Sequence, residues 1–311
     1  MSVEPDVFPE NMVSAGQHQI SAAMVVRACA SSLNPTLEAA TLGWNMNKKC
    51  GTMTPQEIPV HSLTHLIFSF GFTASGTFKI EPMSDFQPFL FGRVTDLNMK
   101  KPSLKALIAL GVSVDYPETV FLTDRNQGWT QNDPDQYNFI HRQPTSKYQK
   151  VFSDMAASAV NRKTFISNLI GFMAEYGFNG VGLDWEYPGA PDRGGIPEDG
   201  DNLNKLMKEM KDAMGSRYIL TFTAPTSYWY LRHFDIKRSA EIADWINLMS
   251  YHLHGVWDSD NPIGNQILGH TNLTEIDLAL DLLWRNDVSL SKIILSTVFY
   301  SRSFCLENPK C

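Results

Sequence analysis

Short apolar runs alternate along this chain with longer segments in which apolar residues recur at helical spacing. Runs of the first kind predict buried strands, and their regular alternation with helices predicts parallel βα units. The pattern therefore predicts an α/β fold built on one parallel sheet. The predicted strands are 40–44, 64–70, 105–113, 180–186, 218–223, 245–251 and 292–300, and the predicted helices are 163–177, 201–214 and 273–284. A cap for the helix at 201–214 is predicted at Asp199 or Asp201.

The strand at 180–186 has two faces of different chemistry. Val181, Leu183 and Trp185 share one parity, which predicts packing against helices. Asp184 and Glu186 share the other parity. Alternate residues on a strand lie roughly 6.6 Å apart, close enough for one carboxylate to change the proton affinity of the other. This strand is the candidate platform for acid chemistry.

The residues around this carboxylate pair decide between two interpretations. Asp and Glu at a strand end often serve only as turn formers or helix caps. Pro188 ends the strand, however, and a glycine-rich loop follows at the end where parallel barrels hold their active sites. A tryptophan also separates the two carboxylates, and a Tyr-Pro pair follows them. A simple turn does not require this longer pattern, which favours a functional site.

Residues 179–188 read Asn-Gly-Val-Gly-Leu-Asp-Trp-Glu-Tyr-Pro, which resembles the signature of glycoside hydrolase family 18, the chitinases. The family motif is Asp-Gly-x-Asp-x-Asp-x-Glu followed by Tyr-Pro. The resemblance is greatest to the fungal class V branch and runs from about Leu42 to Phe304. Further ordered matches are 152–155, 224–231, 249–258, 270–273 and 300–304.

The resemblance implies a TIM (β/α)8 barrel over residues 38–311, preceded by a poorly ordered arm over 1–37. The barrel is expected to be incomplete, because no eighth strand follows Phe304 and seven strands leave unpaired backbone at an open edge. Three explanations stay open: a fragment, a truncated gene product, or a barrel patched by its N-terminal arm.

The resemblance also implies a retaining reaction in which the substrate's own acetamido oxygen attacks the anomeric carbon, without a cofactor or metal. Glu186 matches the general acid, and Asp184 matches the group that holds the acetamide N–H. Tyr251 matches the donor to the acetamide oxygen. Met249 lies beneath the sugar in this comparison, and the substrate would be chitin or chito-oligosaccharides.

Five further residues are candidate substrate contacts. Trp44 is either a sugar platform or plain core, and Trp257 follows a strand, where its ring suits the apolar face of N-acetylglucosamine. The resemblance adds Tyr187, Tyr300 and Arg302 to the binding set.

Several positions depart from the family pattern. Gly182 replaces an aspartate that would share a proton with Asp184, and His252 replaces the aspartate after Tyr251. Val112 stands where the family has the second glycine of a pair, and Ser301 replaces another glycine. Three hypotheses follow: a weakened chitinase, a lectin-like protein that binds without turnover, or a remnant with neither property.

Composition and charge limit the classes of binding partner and the cellular location that we expect for this chain. The 311 residues are 43% hydrophobic, enough for one large domain, and are expected to form a monomer. The net charge of -7 and the lack of a Lys/Arg cluster argue against nucleic acid and against an anionic membrane surface. No apolar run approaches the ~20 residues of a membrane span, and the first residues show no secretion signal, although the resemblance implies an extracellular protein.

The cysteines and histidines do not predict a metal site. Cys29, Cys50, Cys305 and Cys311 lie near the two ends of the chain without a C-x-x-C spacing, so thiols or one disulfide both remain open. The histidines at 252, 254 and 270 fit hydrogen-bonded loop residues better than metal ligands.

Overall fold

The computed structural model describes the backbone of 22–26 and 37–42, and both backbone and side chains of 53–82, 88–111, 150–255, 258, 262, 264 and 266–298. The strands are β1 Ala22–Val26, β2 Leu37–Leu42, β3 His65–Thr73, β4 Ile80–Glu81, β5 Lys105–Gly111, β6 Gly180–Asp184, β7 Ile219–Pro225, β8 Trp245–Met249 and β9 Ile293–Thr297. The helices are α1 Phe89–Thr95, α2 Val151–Ala157, α3 Ala159–Tyr176, α4 Asp199–Met214, α5 Tyr228–Leu231, α6 Ile236–Ile242 and α7 Leu273–Trp284.

The strands form a closed ring. Seven of them, β2, β3, β5, β6, β7, β8 and β9, are parallel neighbours in that order. Strand β1 pairs antiparallel with β2 on one side and with β9 on the other. The predicted barrel is confirmed, and an antiparallel strand occupies the place of an eighth parallel one in the described chain.

Strand β1 lies within the arm expected over 1–37, of which the structure describes the backbone of 22–26 and of residue 37. The segment Ala22–Val26 pairs with Leu37–Leu42 over its whole length and with β9 through Met24, Val25 and Val26. Without it, β2 and β9 would each present unpaired N–H and C=O groups. This pairing is the arrangement described above as a barrel patched by its N-terminal arm.

The predicted elements are confirmed with small shifts at their ends. Helix α7 has the predicted bounds, and α3 ends before Gly177, whose φ of 80° gives the left-handed conformation expected of a glycine stop. Helix α4 begins at Asp199, and Glu198 before it makes no side-chain cap. The predicted cap at Asp199 or Asp201 is therefore wrong, because the Asp199 carboxylate binds elsewhere.

Two apolar regions fix the orientation of β6. Inside the ring, Ile67, Leu107 and Ala109 form a small cluster with Trp245 packed against it. Outside, Val181 and Leu183 belong to the large core between the strands and the helices. Since successive strand residues alternate in direction, Gly180, Gly182 and Asp184 lie on the inner face.

Trp185 belongs to the outer core, as its parity predicted. Its ring stacks on Phe152 of α2 with centroids 5.6 Å apart, and it is 5% exposed. Burying a side chain of this size stabilises the fold by several kcal/mol. The packing holds the chain between Asp184 and Glu186 in place.

The loop between β6 and α4 is tied to the barrel by one buried carboxylate. Asp199 accepts hydrogen bonds from the Ser153 hydroxyl at 2.6 Å, the Gly189 amide at 3.2 Å and the Ile196 amide at 2.8 Å. These bonds join α2, the loop and the first turn of α4. The loop that follows Glu186 is therefore a fixed part of the structure.

Replacing Asp199 with Ala is expected to lower the free energy of unfolding by about 3 kcal/mol, because three donors lose a buried charged acceptor. Urea denaturation followed by tryptophan fluorescence measures this change. Asp199→Asn, which keeps one carbonyl acceptor of the same size, should lose less. Equal stability of the Ala variant and the unmodified chain would contradict the assigned role.

Candidate active site

Asp184 and Glu186 lie at the carboxyl end of β6. Asp184 is the last strand residue and pairs with Gly111 of β5, and the preceding Leu183 pairs with Phe222 of β7. Both carboxyl side chains are half-buried at the end of the ring where the parallel strands finish. The pair stands where a parallel barrel places its chemistry.

The Asp184 carboxyl group is held in a protected environment. Burial raises the pKa of Asp184 well above its usual range, repulsion by Glu186 raises it further, and a hydrogen bond with Thr223 lowers it. Its Oδ1 atom is buried and has no hydrogen-bond partner in the described part of the chain. This oxygen is thus an acceptor whose protein surroundings do not satisfy it.

Glu186 is also shifted toward the protonated form. Burial raises the pKa of Glu186, whereas the charge of Arg193 and the Tyr187 hydroxyl lower it. Burial raises the pKa of Tyr187 well above its usual value, so its phenol stays protonated. A raised carboxyl pKa suits a general acid near neutral pH.

Arg193 and two tyrosines form a stacked group beside Glu186. The rings of Tyr187 and Tyr230 lie 4.1 Å apart at 24°, and the Arg193 guanidinium lies 5.9 Å and 5.8 Å from their centroids. The Tyr230 hydroxyl donates to Asp192 at 2.8 Å. Cation–π contact and stacking therefore hold a positive charge close to the acid.

We expect Arg193→Met to move the alkaline limb of the kcat/KM profile to higher pH. Arg193 lowers the pKa of Glu186 by favouring its charged form, so removing that charge raises the pKa and keeps the acid protonated at higher pH. Arg193→Lys retains the charge and should keep the limb near its original place. An unchanged limb in the Met variant would show that the charge does not reach Glu186.

The end of β8 supplies the second side of the site. Met249 is the last residue of that strand and is 8% exposed, and its carbonyl accepts a bond from the Thr226 hydroxyl at 3.3 Å. Tyr251 follows two residues later and is half-buried, with its ring 5.2 Å from that of His252 at 86°. Both predicted residues therefore stand on the same edge of the sheet as the carboxyl pair.

His252 adopts a left-handed backbone with φ of 59°. Its amide donates to Nδ1 of His270 at 3.3 Å, and the two rings lie 6.0 Å apart. His254 is clamped by Asp258 at 3.0 Å and by Glu275 of α7 at 2.7 Å. The histidines hold the loop after Tyr251 together, as expected of hydrogen-bonded loop residues.

Gly182 lies one step below Asp184 on the inner face. A Cβ added there would stand 2.9 Å from the Thr221 hydroxyl, closer than side-chain atoms normally approach. No other atom of the described residues is within 4 Å, its chain neighbours aside. Gly182 therefore leaves room for the side chain of Thr221, the residue of β7 with which it is paired in the sheet.

Sequence reasoning missed two members of this site, Arg193 beside Glu186 and Thr223 beside Asp184. Only the position of Arg193 in the loop after β6 gave any signal. Tyr230 was a candidate for stacking on a sugar ring, because it follows a predicted strand, and the structure stacks it on Tyr187. Four predicted contacts, Trp44, Trp257, Tyr300 and Arg302, lie outside the described residues, as do Val112, Ser301 and the four cysteines.

The described residues contain no group of three or more His, Cys, Asp or Glu side chains arranged to hold a metal ion. Among the helices of the described ranges, none is long and apolar enough to cross a membrane.

A barrel of parallel strands with two interacting carboxyl groups at a strand's carboxyl end is an arrangement typical of glycoside hydrolases. The sequence profile described as Glycosyl hydrolases family 18 matches residues 145–310, and the chain belongs to this family.

Two fungal relatives agree with this assignment. The chain is 30% identical over 284 residues to "Probable chitinase LysM11" of Penicillium expansum, a match covering 86% of this chain and 22% of the relative. It is 35% identical over 165 residues to "Secreted chitinase LysM12" of the same organism, covering 50% and 11%. The chain thus spans less than a quarter of the length of these two fungal relatives.

The fold is similar to that of a solved insect structure. Catalytic domain 2 of the Ostrinia furnacalis Group II chitinase aligns with a TM-score of 0.64 at 20% identity. The alignment covers 83% of this chain and 62% of that one. This similarity supports the barrel fold.

Proposed function

We propose that this chain is a chitinase-like glycoside hydrolase that cleaves β-1,4-linked N-acetylglucosamine with retention. The observation that carries the proposal is the pair Asp184 and Glu186, electrostatically coupled, half-buried and each with a raised pKa at the carboxyl end of β6. Two neighbouring carboxyl groups with raised pKa values favour a state in which one of them keeps its proton.

In the proposed reaction, Glu186 donates its proton to the glycosidic oxygen as the bond to the anomeric carbon breaks. The acetamido oxygen of the substrate attacks the same carbon, and Glu186 then accepts a proton from the water that opens the ring intermediate. Asp184 accepts the acetamide N–H, and Tyr251 donates to the acetamide oxygen. Met249 and Tyr187 flank the bound sugar.

The proposed ligand is chitin or a chito-oligosaccharide, bound by one barrel domain proposed for 38–311, whose ring of strands is completed by β1. A net charge of -7 suits a neutral polysaccharide better than nucleic acid or an anionic membrane, and we propose a monomer. The two fungal relatives, a secreted chitinase and a probable chitinase, support this substrate and an extracellular location. Trp44, Trp257, Tyr300 and Arg302 stay proposed sugar contacts.

The test is hydrolysis of a fluorogenic chitotriose by the purified chain, with a chitin pull-down on the same sample. Release that disappears in Glu186→Gln supports the enzyme. Binding to chitin without release supports the second candidate, a carbohydrate-binding protein without turnover. That candidate is favoured by Gly182 and His252, which remove two carboxylates from the family pattern.

A cooperative thermal unfolding transition of the same sample accompanies both assays. A folded chain that neither hydrolyses chitotriose nor binds chitin would overturn both candidates.

A further inference from the structure

A file of polar side chains runs through the interior of the barrel toward Asp184. The indole N–H of Trp245 donates to Oδ1 of Asn247 at 3.2 Å, and Nδ2 of Asn247 donates to the Thr221 hydroxyl at 3.5 Å. Thr221 is fully buried, and Asn247 is 8% exposed. Each donor in this file points to the next acceptor.

The file is interrupted after Thr221. Its hydroxyl oxygen accepts from Asn247, which leaves the hydroxyl proton to be donated, and the described residues offer it no acceptor. The unsatisfied Oδ1 of Asp184 lies one step further along the barrel. The inner face of the barrel thus holds, among the described residues, a donor without an acceptor at Thr221 and an acceptor without a donor further along at Asp184.

The space between these two groups lies beside Gly182. Thr221 is the ladder partner of Gly182, and Asp184 is two residues further along β6, a rise of roughly 6.6 Å. Two hydrogen bonds of about 2.8 Å each through one water molecule span at most about 5.6 Å, which is of the same order as this rise between backbone positions. Because residue 182 has no side chain, this space, the Gly182 gap, is free of a Cβ.

We infer that one water molecule occupies the Gly182 gap, accepting from the Thr221 hydroxyl and donating to Oδ1 of Asp184. A buried polar site with two or more partners is the kind of place that retains a water. Thr221 is then a positioning residue that acts on Asp184 through this water. The water held by Thr221 fills the space that a side chain at residue 182 would occupy. Its hydrogen bond to Asp184 replaces the contact that such a side chain would make.

The consequence for the reaction rests on the proposed function. The water fixes one oxygen of Asp184 toward the barrel interior, which leaves the other with Thr223 and the substrate side. Glu186 is the titratable neighbour whose charge acts on Asp184. The charge of Arg193 acts in turn on Glu186, and the Asp184 carboxylate raises the pKa of Tyr187. A hydrogen bond donated to the carboxylate favours its charged form.

Thr221→Val removes the donor while keeping the shape of the side chain. We expect kcat to fall about tenfold with KM nearly unchanged, since one water-mediated bond to a charged group is lost. The acid limb of the pH profile should move to higher pH, because Asp184 loses stabilisation of its charged form. Thr221→Ser should restore both. A Val variant with the original kcat and acid limb would overturn the inference.

A high-resolution crystal structure tests the water independently of activity. Density for a water within hydrogen-bond distance of both Thr221 Oγ1 and Asp184 Oδ1, absent in Thr221→Val, supports the inference. An empty gap, or a direct bond between the two residues, overturns it. If the unmodified chain hydrolyses nothing, the proposed function fails, and the crystal structure still decides the water site.

Discussion

Glu186→Gln is expected to reduce hydrolysis of a fluorogenic chitotriose by about 10² to 10⁴-fold. Glutamine has the shape of glutamate but no acidic proton, so the leaving oxygen departs without protonation. The loss should appear in kcat, because the acid acts mainly in the transition state. Steady-state kinetics across a range of pH measures it, and the pH dependence assigned to Glu186 should vanish together with the rate.

The matched controls are chitin binding and thermal stability. Both should be retained in Glu186→Gln, because the carboxyl group is half-buried and the amide fills the same volume. A variant that keeps the original rate would remove Glu186 from the role of acid. A variant that loses binding as well would point to damage of the fold.

Gly182→Asp restores a carboxylate and should raise the rate of chitotriose hydrolysis. The Thr221 side chain must move to make room for it. A preorganised electrostatic group is typically worth about 10² to 10³ in turnover. The introduced Cβ would stand 2.9 Å from the Thr221 hydroxyl, which is tighter than normal packing. We therefore expect the larger gain from Gly182→Asp combined with Thr221→Ala, measured as kcat with chitotriose.

Gly182→Asn with Thr221→Ala is the matched control for this prediction. It introduces the same volume without a group that shares a proton with Asp184, so its kcat should stay below that of the aspartate variant. Equal rates for both double variants would attribute the effect to packing. No gain in a folded, chitin-binding aspartate variant would place the cause of low turnover elsewhere, with His252 the next position to change.

Much of the fold was predictable because its signals are local. The apolar strand runs and the helical spacing of 273–284 reflect burial on one face, and burial decides both elements. The two faces of β6 also followed from parity alone. Asp184 and Glu186 were predictable as a site because strand ends collect at one edge of a parallel sheet.

The remaining features depend on contacts between distant segments. Strand β1 was missed because Ala22–Val26 is short and gains its stability from the edges of β2 and β9. Asp199 looked like a helix cap because its true partners, Ser153 and the loop amides, are set by tertiary packing. The pairing of Gly182 with Thr221 likewise depends on the register between β6 and β7, which the sequence of neither strand determines alone.

The antiparallel strand β1 has a consequence for how the barrel folds. Its contacts with β9 join segments nearly the whole length of the chain apart, whereas each parallel pair from β5 to β9 joins neighbours in sequence. Contacts of such long range carry the largest loop-closure cost and are expected to form late. Until β1 inserts, the strands form an open sheet whose two exposed edges can pair with other chains, so efficient closure protects the folding protein from aggregation.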